Sequence, residues 1–375
     1  MNEPNLVAII MPNKICNLAC KYCYVVEKPP ERMSLALAER VISELLHYND
    51  PAKPTKIIWH GGEPLLAGLD FLRSICTLIH EQYPNHDVRH GIQTNGILLT
   101  DPWIDFFIAE NFAVGVSLDG PREMHDACRK TAGGQGSFDQ IFRNIMRARD
   151  RGLIIGALCV VTRNTLGHEE ELFNFFYHNK LDFMFHPLTP MNNAMNDDLG
   201  ITPEEFAQVS MRLFDLSFFQ PEPRVTSVAP TLDYMKAVMM GCASGFCVFA
   251  ESCAREYISV DPQGNIYVCD RFAGNPEMSF GNIGKQSLVQ ILDSPVRQEF
   301  LKPRAELIPK CQQCKWVRLC NAGCSHEAYV RTGSIFHPDA YCETYQCMFQ
   351  YAYEVVSKEL AKLEKSVTSR EHHGS

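Results

Sequence analysis

Three cysteines lie close together in the stretch Cys16-Asn17-Leu18-Ala19-Cys20-Lys21-Tyr22-Cys23-Tyr24. Their spacing, C-x3-C-x2-C, falls on a loop that follows an apolar run from Leu6 to Met11. Three thiolates so near in the chain can hold three irons of a [4Fe–4S] cube. The fourth iron then has no protein ligand and offers an open position to a small chelating molecule. A cluster that only carries electrons is normally closed by four cysteines, so an open cube is a catalytic arrangement. The competing reading is a zinc knuckle. Zinc prefers C-x2-C pairs with a further ligand supplied nearby, and none follows here.

Such a loop must be positioned by a scaffold, and the residues after it describe one. From residue 5 to about 190, short apolar runs alternate with longer amphipathic segments. Strands are expected at Leu6–Met11, Lys56–Trp59, Val88–Gln93, Ala113–Ser117, Ile154–Val161 and Phe183–Pro187. Helices are expected at Leu35–Leu46, Leu69–Glu81, Trp103–Glu110, Phe138–Arg151 and Glu169–His178. Strand followed by helix, repeated along the chain, implies an α/β fold with a parallel sheet curved into a partial, TIM-like (β/α)6 barrel. Chemistry in such folds collects at the C-terminal ends of the strands.

The unusual residues stand at those ends. After the second strand comes His60-Gly61-Gly62-Glu63-Pro64, whose glycines allow close approach of backbone and whose carbonyls can accept from an ammonium group. The third strand ends Gln93-Thr94-Asn95-Gly96 and the fourth Ser117-Leu118-Asp119-Gly120-Pro121; both are also ordinary turn formers. The glycine run Gly133-Gly134-Gln135-Gly136 lacks the Gly-Lys-Ser/Thr ending of a phosphate loop and reads as a hinge before the next helix. Taken with the cysteine loop and its aromatic Tyr22, these segments resemble the radical S-adenosylmethionine (SAM) enzymes. In that superfamily the open iron binds SAM, and an electron from the cluster cleaves it to a 5′-deoxyadenosyl radical. The resemblance implies SAM contacts from Tyr22, Gly61, Gly62, Glu63, Pro64, Gln93, Asn95, Ser117 and Asp119.

Sixteen cysteines in a chain with no export signal point to metal, not to disulfides, and to the reducing cytoplasm. Ten of them lie between Cys242 and Cys347. Cys253 is followed by ten residues, Gly264, four residues and Cys269; then come Cys311-x2-Cys314-x5-Cys320-x3-Cys324 and Cys342. This pattern resembles the SPASM domain, an iron–sulfur module of radical SAM enzymes that act mainly on peptides and proteins. The resemblance implies two auxiliary [4Fe–4S] clusters, three in all with that at Cys16, Cys20 and Cys23. Cys247, Cys253, Cys269 and Cys324 would hold one, with spacing to Cys253 alone choosing Cys247 over Cys242. Cys311, Cys314, Cys320 and Cys342 would hold the other. Cys76, Cys128, Cys159, Cys242 and Cys347 are left over and read as buried free thiols.

Within the superfamily the chain is most similar to anaerobic sulfatase-maturating enzymes, which oxidise a sulfatase cysteine or serine to formylglycine. The segments Gln93-Thr-Asn-Gly96, Ser117-Leu-Asp-Gly-Pro121, Cys159-Val-Val-Thr162 and Tyr267-Val268-Cys269-Asp270 carry that likeness. It implies that Asp270, the acid after Cys269, is the catalytic base. Two departures look instead like maturases of ribosomally made peptides (RiPPs), which install cyclophane or thioether cross-links. His60 stands where glutamine is expected, and Ala322-Gly323-Cys324-Ser325-His326 lacks a basic, glycine-rich form. On those departures the peptide maturase is the preferred reading and the sulfatase maturase the alternative.

Other classes are weaker. A net charge of −9 with no Lys/Arg block argues against nucleic acid, and no segment approaches the ~18 apolar residues of a membrane span. A non-catalytic iron–sulfur electron carrier would not need the open spacing or the barrel-end motifs. A small-molecule radical SAM oxidoreductase shares both. The expected organisation is a radical SAM barrel with a bridging segment at 1–235, a SPASM domain at 236–350, and a C-terminal helix and disordered tail at 351–375. The bridging part, about Asn192 to Met240, carries a helix start at Thr202-Pro203-Glu204-Glu205. With the first expected strand at Leu6–Met11, no leader-recognition domain is expected before it. Expected partners are a peptide or protein substrate and a low-potential electron donor such as flavodoxin or ferredoxin.

Overall fold

The computed structural model describes residues 4–25, 28–189, 198–221 and 224–371. The chain forms two compact units that interleave along the sequence. The first comprises 1–160, 181–199 and 252–302, the second 161–180, 200–251 and 303–375. These divisions differ from boundaries at 235 and 350, which follow composition and cysteine content.

The first unit is built on β1 (Val7–Ile10), β2 (Thr55–Trp59), β3 (Val88–Thr94), β4 (Ala113–Ser117), β5 (Ile155–Val161) and β6 (Asp182–Pro187), adjacent in that order. Pairing is parallel from β1 through β5, with Ala8 opposite Ile57, Ile57 opposite His90 and Val116 opposite Ala157. Helices α1 (Leu35–Tyr48), α2 (Leu69–Gln82), α3 (Asp101–Ala109), α4 (Arg122–Cys128) and α5 (Phe138–Asp150) fill the connections. Each longer helix buries one stripe; that of α5 is Phe138, Ile141, Ile145 and Ala148. Ser34 accepts from the Leu37 amide at 3.2 Å and caps α1, a contact of the kind worth ~1 kcal/mol. The expected strands and helices agree with these to within two residues at each end. Helix α4 was not expected, because seven residues are too few to display a helical period.

The sheet continues beyond β1 into the cysteine-rich third. Strand Tyr257–Val260 pairs in parallel with β1, Val7 opposite Tyr257, and Asn265–Tyr267 and Gly281–Asn282 add antiparallel neighbours. The glycine run read as a hinge is tied down. The Thr131 amide donates to Gln135 O at 2.9 Å, and Asp126 Oδ1 accepts from the amides of Ser137 and Phe138 at 2.8 and 3.0 Å.

The second unit packs α6 (Glu169–His178), α7 (Pro203–Phe218), α8 (Thr231–Met240) and the helix Cys342–Glu371. The expected helix start at Thr202 opens α7, and Thr202 and Glu205 form a capping box there. Its core is aromatic: Phe249 lies 5.2 Å from Phe349, and Phe214 meets Tyr351 edge-on at 5.8 Å. The Tyr351 hydroxyl donates to Asp215 at 2.7 Å, so the helix that starts with Cys342 is anchored to α7. The start of the expected bridging segment, through residue 197, and the end of the expected tail, from 372, lie outside the described residues.

Candidate active site

The cysteine loop leaves β1 and is held at both flanks. Ala19 N donates to Lys130 O at 2.7 Å and Lys21 N to Cys128 O at 3.0 Å, so the chain just after α4 serves as its template. Two N–H groups point at one sulfur: Leu18 N is 3.4 Å and Asn95 Nδ2 3.6 Å from Cys16 Sγ. Burial pushes the Cys20 thiol up to about 11; Arg129 opposes this, and Cys23 and Cys16 add to it. Closely spaced thiols become thiolates together beside a strong positive charge, which is what iron supplies. Among the described residues no three Cys, His, Asp or Glu side chains converge tightly enough for a single metal ion.

The turn after β2 is shaped by this loop. A Cβ on Gly62 would stand 2.1 Å from Ile15 O and 2.4 Å from Lys14 O, and one on Gly61 2.3 Å from Asn13 O. The Gly62 and Glu63 amides donate to Asn13 O and Ile15 O at 3.1 and 2.8 Å. The two glycines thus let one backbone press on another. Among the described residues the Gly61 and Gly62 carbonyls accept no hydrogen bond, which leaves them for the ammonium group of a ligand. We expect Gly62→Ala to displace the cysteine loop and lose roughly a third of the iron of the reconstituted protein. Gly133→Ala, whose nearest new contact is an ordinary 3.4 Å, should retain all of it. Iron assay of the two variants checks this.

The carboxylates expected to face a cofactor are spent on the protein. Glu63 is fully buried and accepts from Leu65 N at 3.0 Å, Thr94 Oγ1 at 2.8 Å and Asn95 N at 2.8 Å. Burial outweighs these donors and raises its carboxyl to about 7. Its work is to join the β2 turn to the end of β3, with Pro64 opening the short helical turn that follows. Asp119 is likewise buried. It accepts from Val160 N at 3.0 Å, from Arg129 Nε at 2.9 Å and from the Tyr22 hydroxyl. The Arg129 guanidinium lies 5.2 Å from the centre of the Tyr22 ring. Tyr22, between two loop cysteines, is therefore bolted to the ends of β4 and β5. Gln93 Nε2 donates to Ser117 Oγ at 3.1 Å across the ends of β3 and β4, so those two remain a polar pair at the barrel end.

Asp270 meets residues distant in sequence. The Tyr24 hydroxyl donates to its Oδ2, and His60 Nδ1 lies 3.4 Å from the same oxygen and 3.2 Å from the Tyr24 hydroxyl. Burial would raise the Asp270 carboxyl; His60, the Tyr24 hydroxyl and Arg271 outweigh it, and the group is held below its ordinary value. At the end of β6, His186 is half-buried and lowered to about 4, by desolvation first and Arg271 second. Sequence reasoning passed over Tyr24, Arg129 and His186 as site residues. Only His186 carried a signal, its place at the C-terminal end of a barrel strand.

In the second unit Cys311, Cys314, Cys320 and Cys342 line one cavity with Lys310, Trp316, Gln346 and Phe349. Gln346 Nε2 donates to Cys342 Sγ at 3.3 Å. Four thiols round one small, largely apolar cavity fit a closed cluster. The other proposed set is divided between the units, Cys253 and Cys269 in the first, Cys247 and Cys324 in the second. Cys324 N donates to Asp339 Oδ2 at 2.6 Å. Of the spare cysteines, Cys76, Cys128 and Cys159 are buried as expected, but Cys242 and Cys347 are exposed. Cys242 follows the left-handed Gly241 that ends α8, which carries the chain away from the helix it has just left.

The fold and the cysteine loop define a radical SAM protein with an appended iron–sulfur module. The description "Radical SAM superfamily" matches residues 10–176, and that of the SPASM "Iron-sulfur cluster-binding domain" matches residues 247–315. A serine-type anaerobic sulfatase-maturating enzyme of Bacteroides thetaiotaomicron is 30% identical over 356 residues, 88% of this chain and 84% of that protein. A cysteine-type anaerobic sulfatase-maturating enzyme of Clostridium novyi is 28% identical over 371 residues, 95% and 96% of the two chains. Among solved structures, native anSMEcpe with bound AdoMet and Cp18Cys peptide superposes with a TM-score of 0.85 at 25% identity, over 96% of this chain and 100% of that one. The chain belongs to the radical SAM superfamily, as a SPASM-bearing member whose relatives include sulfatase-maturating enzymes. Both domains indicate iron–sulfur clusters and SAM as cofactors. No helix among the described residues is long and apolar enough to cross a membrane.

Proposed function

We propose that this chain oxidises the side chain of a cysteine or serine in a peptide or protein, as a sulfatase maturase does. The observation that carries the reading is likeness along nearly the whole chain to both cysteine-type and serine-type maturases. It reverses the preference for a cross-linking maturase drawn from two short motif departures. Cross-linking stays as a second reading because His60 occupies a position where the resemblance leads to glutamine.

In this reading Cys16, Cys20 and Cys23 hold the open cluster and the Gly61 and Gly62 carbonyls receive the SAM ammonium. When bound, that cluster and SAM supply hydrogen-atom abstraction from an unactivated carbon. Asn95 donates to Cys16, Glu63 fixes Asn95, and Asp119 with Arg129 fixes Tyr22 and so the loop. The Gln93–Ser117 pair is the candidate ribose contact. Asp270, Tyr24 and His60 form the group that can receive a proton from substrate. Cys311, Cys314, Cys320 and Cys342 hold one closed cluster, and Cys247, Cys253, Cys269 and Cys324 a second, three clusters in all. A flavodoxin or ferredoxin in a reducing cytoplasm would be a suitable electron donor.

The test is mass spectrometry of a cysteine peptide and its serine counterpart after incubation with SAM and anaerobically reconstituted protein. An aldehyde that reacts with a hydrazide is the expected product. Loss of two hydrogens with no aldehyde would instead establish cross-linking, and no 5′-deoxyadenosine at all would overturn both readings. Cys311→Ala should damage one auxiliary cluster, keep SAM cleavage and lose most finished product. Normal yield from a soluble, cluster-depleted Cys311→Ala protein would remove the auxiliary clusters from the reaction.

A further inference from the structure

The hydrogen bonds of Tyr24, His60 and Asp270 decide which atom can take a proton. A phenol has one hydrogen to donate, and Tyr24 gives it to Asp270 Oδ2. Toward His60 Nδ1, 3.2 Å away, the Tyr24 oxygen can then only accept. The second neighbour of Nδ1, the Asp270 carboxylate at 3.4 Å, is an acceptor too. Nδ1 must therefore carry a hydrogen, and in a neutral imidazole Nε2 then keeps the free lone pair. Among the described residues Nε2 has no hydrogen-bond partner, and the His60 side chain is 23% exposed. His60 directly follows the last residue of β2 and precedes the glycine turn that receives the cysteine loop. A carboxylate on one ring nitrogen, leaving the other free, is the arrangement by which an acid orients a histidine base.

We infer that His60 Nε2 is the proton acceptor of this site and that Asp270 is a positioning residue, with Tyr24 completing the link. The inference rests on the proposed function for its substrate, a thiol or hydroxyl on a peptide side chain. The step is a plain proton transfer: the S–H or O–H bond breaks, the sulfur or oxygen keeps the electron pair, and Nε2 binds the proton. The resulting imidazolium is stabilised by the Asp270 carboxylate on its other side. A histidine suits the task because imidazoles change charge within the range of about pH 5 to 8. The titratable groups that face it are Tyr24 from the cysteine loop and Asp270 from the segment after Cys269, with Arg271 acting on Asp270.

The experiment measures 5′-deoxyadenosine and peptide product together, on reconstituted holoprotein with the cysteine and serine peptides, between about pH 5 and 8. His60→Gln keeps a hydrogen-bonding side chain without basicity; it should cleave SAM normally and form ~10²-fold less product. Free imidazole should restore part of the product made by His60→Ala. Full product from His60→Gln, or an equal fall of product and 5′-deoxyadenosine without imidazole rescue, overturns the inference. Absence of SAM cleavage in the unmutated protein sinks the proposed function instead. Should neither peptide be turned over, site-resolved diethyl pyrocarbonate labelling of the holoprotein still decides. His60 should react at neutral pH, and more slowly in Asp270→Asn, where the ring is no longer held with Nε2 free. An unreactive His60 beside reactive exposed His80 and His168 would overturn it.

Discussion

Replacing Cys16, Cys20 and Cys23 together by alanine should lower the iron of the reconstituted protein from ~12 to ~8 atoms per chain and abolish 5′-deoxyadenosine formation. The two outcomes are coupled by geometry. The three thiols share one loop, pinned to residues 128 and 130 on one side and to the glycine turn on the other, and Cys128 meets that loop through its backbone carbonyl. The four cysteines around the cavity of the second unit belong to another part of the chain, so their cluster should survive. Iron and sulfide assays with chromatography of the SAM products check both halves. SAM cleavage at the unmutated rate by the triple variant would remove the radical SAM site from this loop.

Arg129→Leu should destabilise the protein by ~3–5 kcal/mol, because it strands the buried Asp119 carboxylate without its cation. Arg129 and Asp119 side chains are 8% and 5% exposed, so solvent cannot replace the lost partner. The Tyr22 hydroxyl and the Val160 amide still donate to Asp119, but neither brings a charge. Adding Asp119→Asn to Arg129→Leu should recover a large part of the loss, since the uncompensated charge is then gone. That non-additivity is the signature to seek in a double-mutant cycle read from denaturation midpoints. Iron content supplies a second readout. With the guanidinium gone from beside the Tyr22 ring, the single variant should load its SAM cluster poorly. An Arg129→Leu protein with unchanged midpoint and full iron would mean that the pair neither stabilises the fold nor positions the loop.

Much of this protein was legible in one dimension because the signals are local. The C-x3-C-x2-C loop, the alternation of apolar runs with amphipathic segments and the SPASM cysteine spacings each fit within a few tens of residues. Periodicity placed the six barrel strands, and Thr202-Pro203-Glu204-Glu205 marked the start of α7 before any coordinates. What tertiary structure alone decided are contacts between residues far apart in the chain. Nothing near Tyr24 or His60 announces Asp270, more than two hundred residues later. The four-residue strand Tyr257–Val260 is too short to show a period and is defined by its pairing with β1. Glu63 and Asp119 carried the right residue type for cofactor contacts, yet their oxygens face backbone amides, a threonine, a tyrosine and an arginine. Composition and spacing establish which chemical groups are present. Which of them faces substrate and which is consumed holding the others depends on hydrogen-bond partners brought together by folding, because each oxygen or nitrogen can satisfy only the neighbours that the packed chain delivers to it.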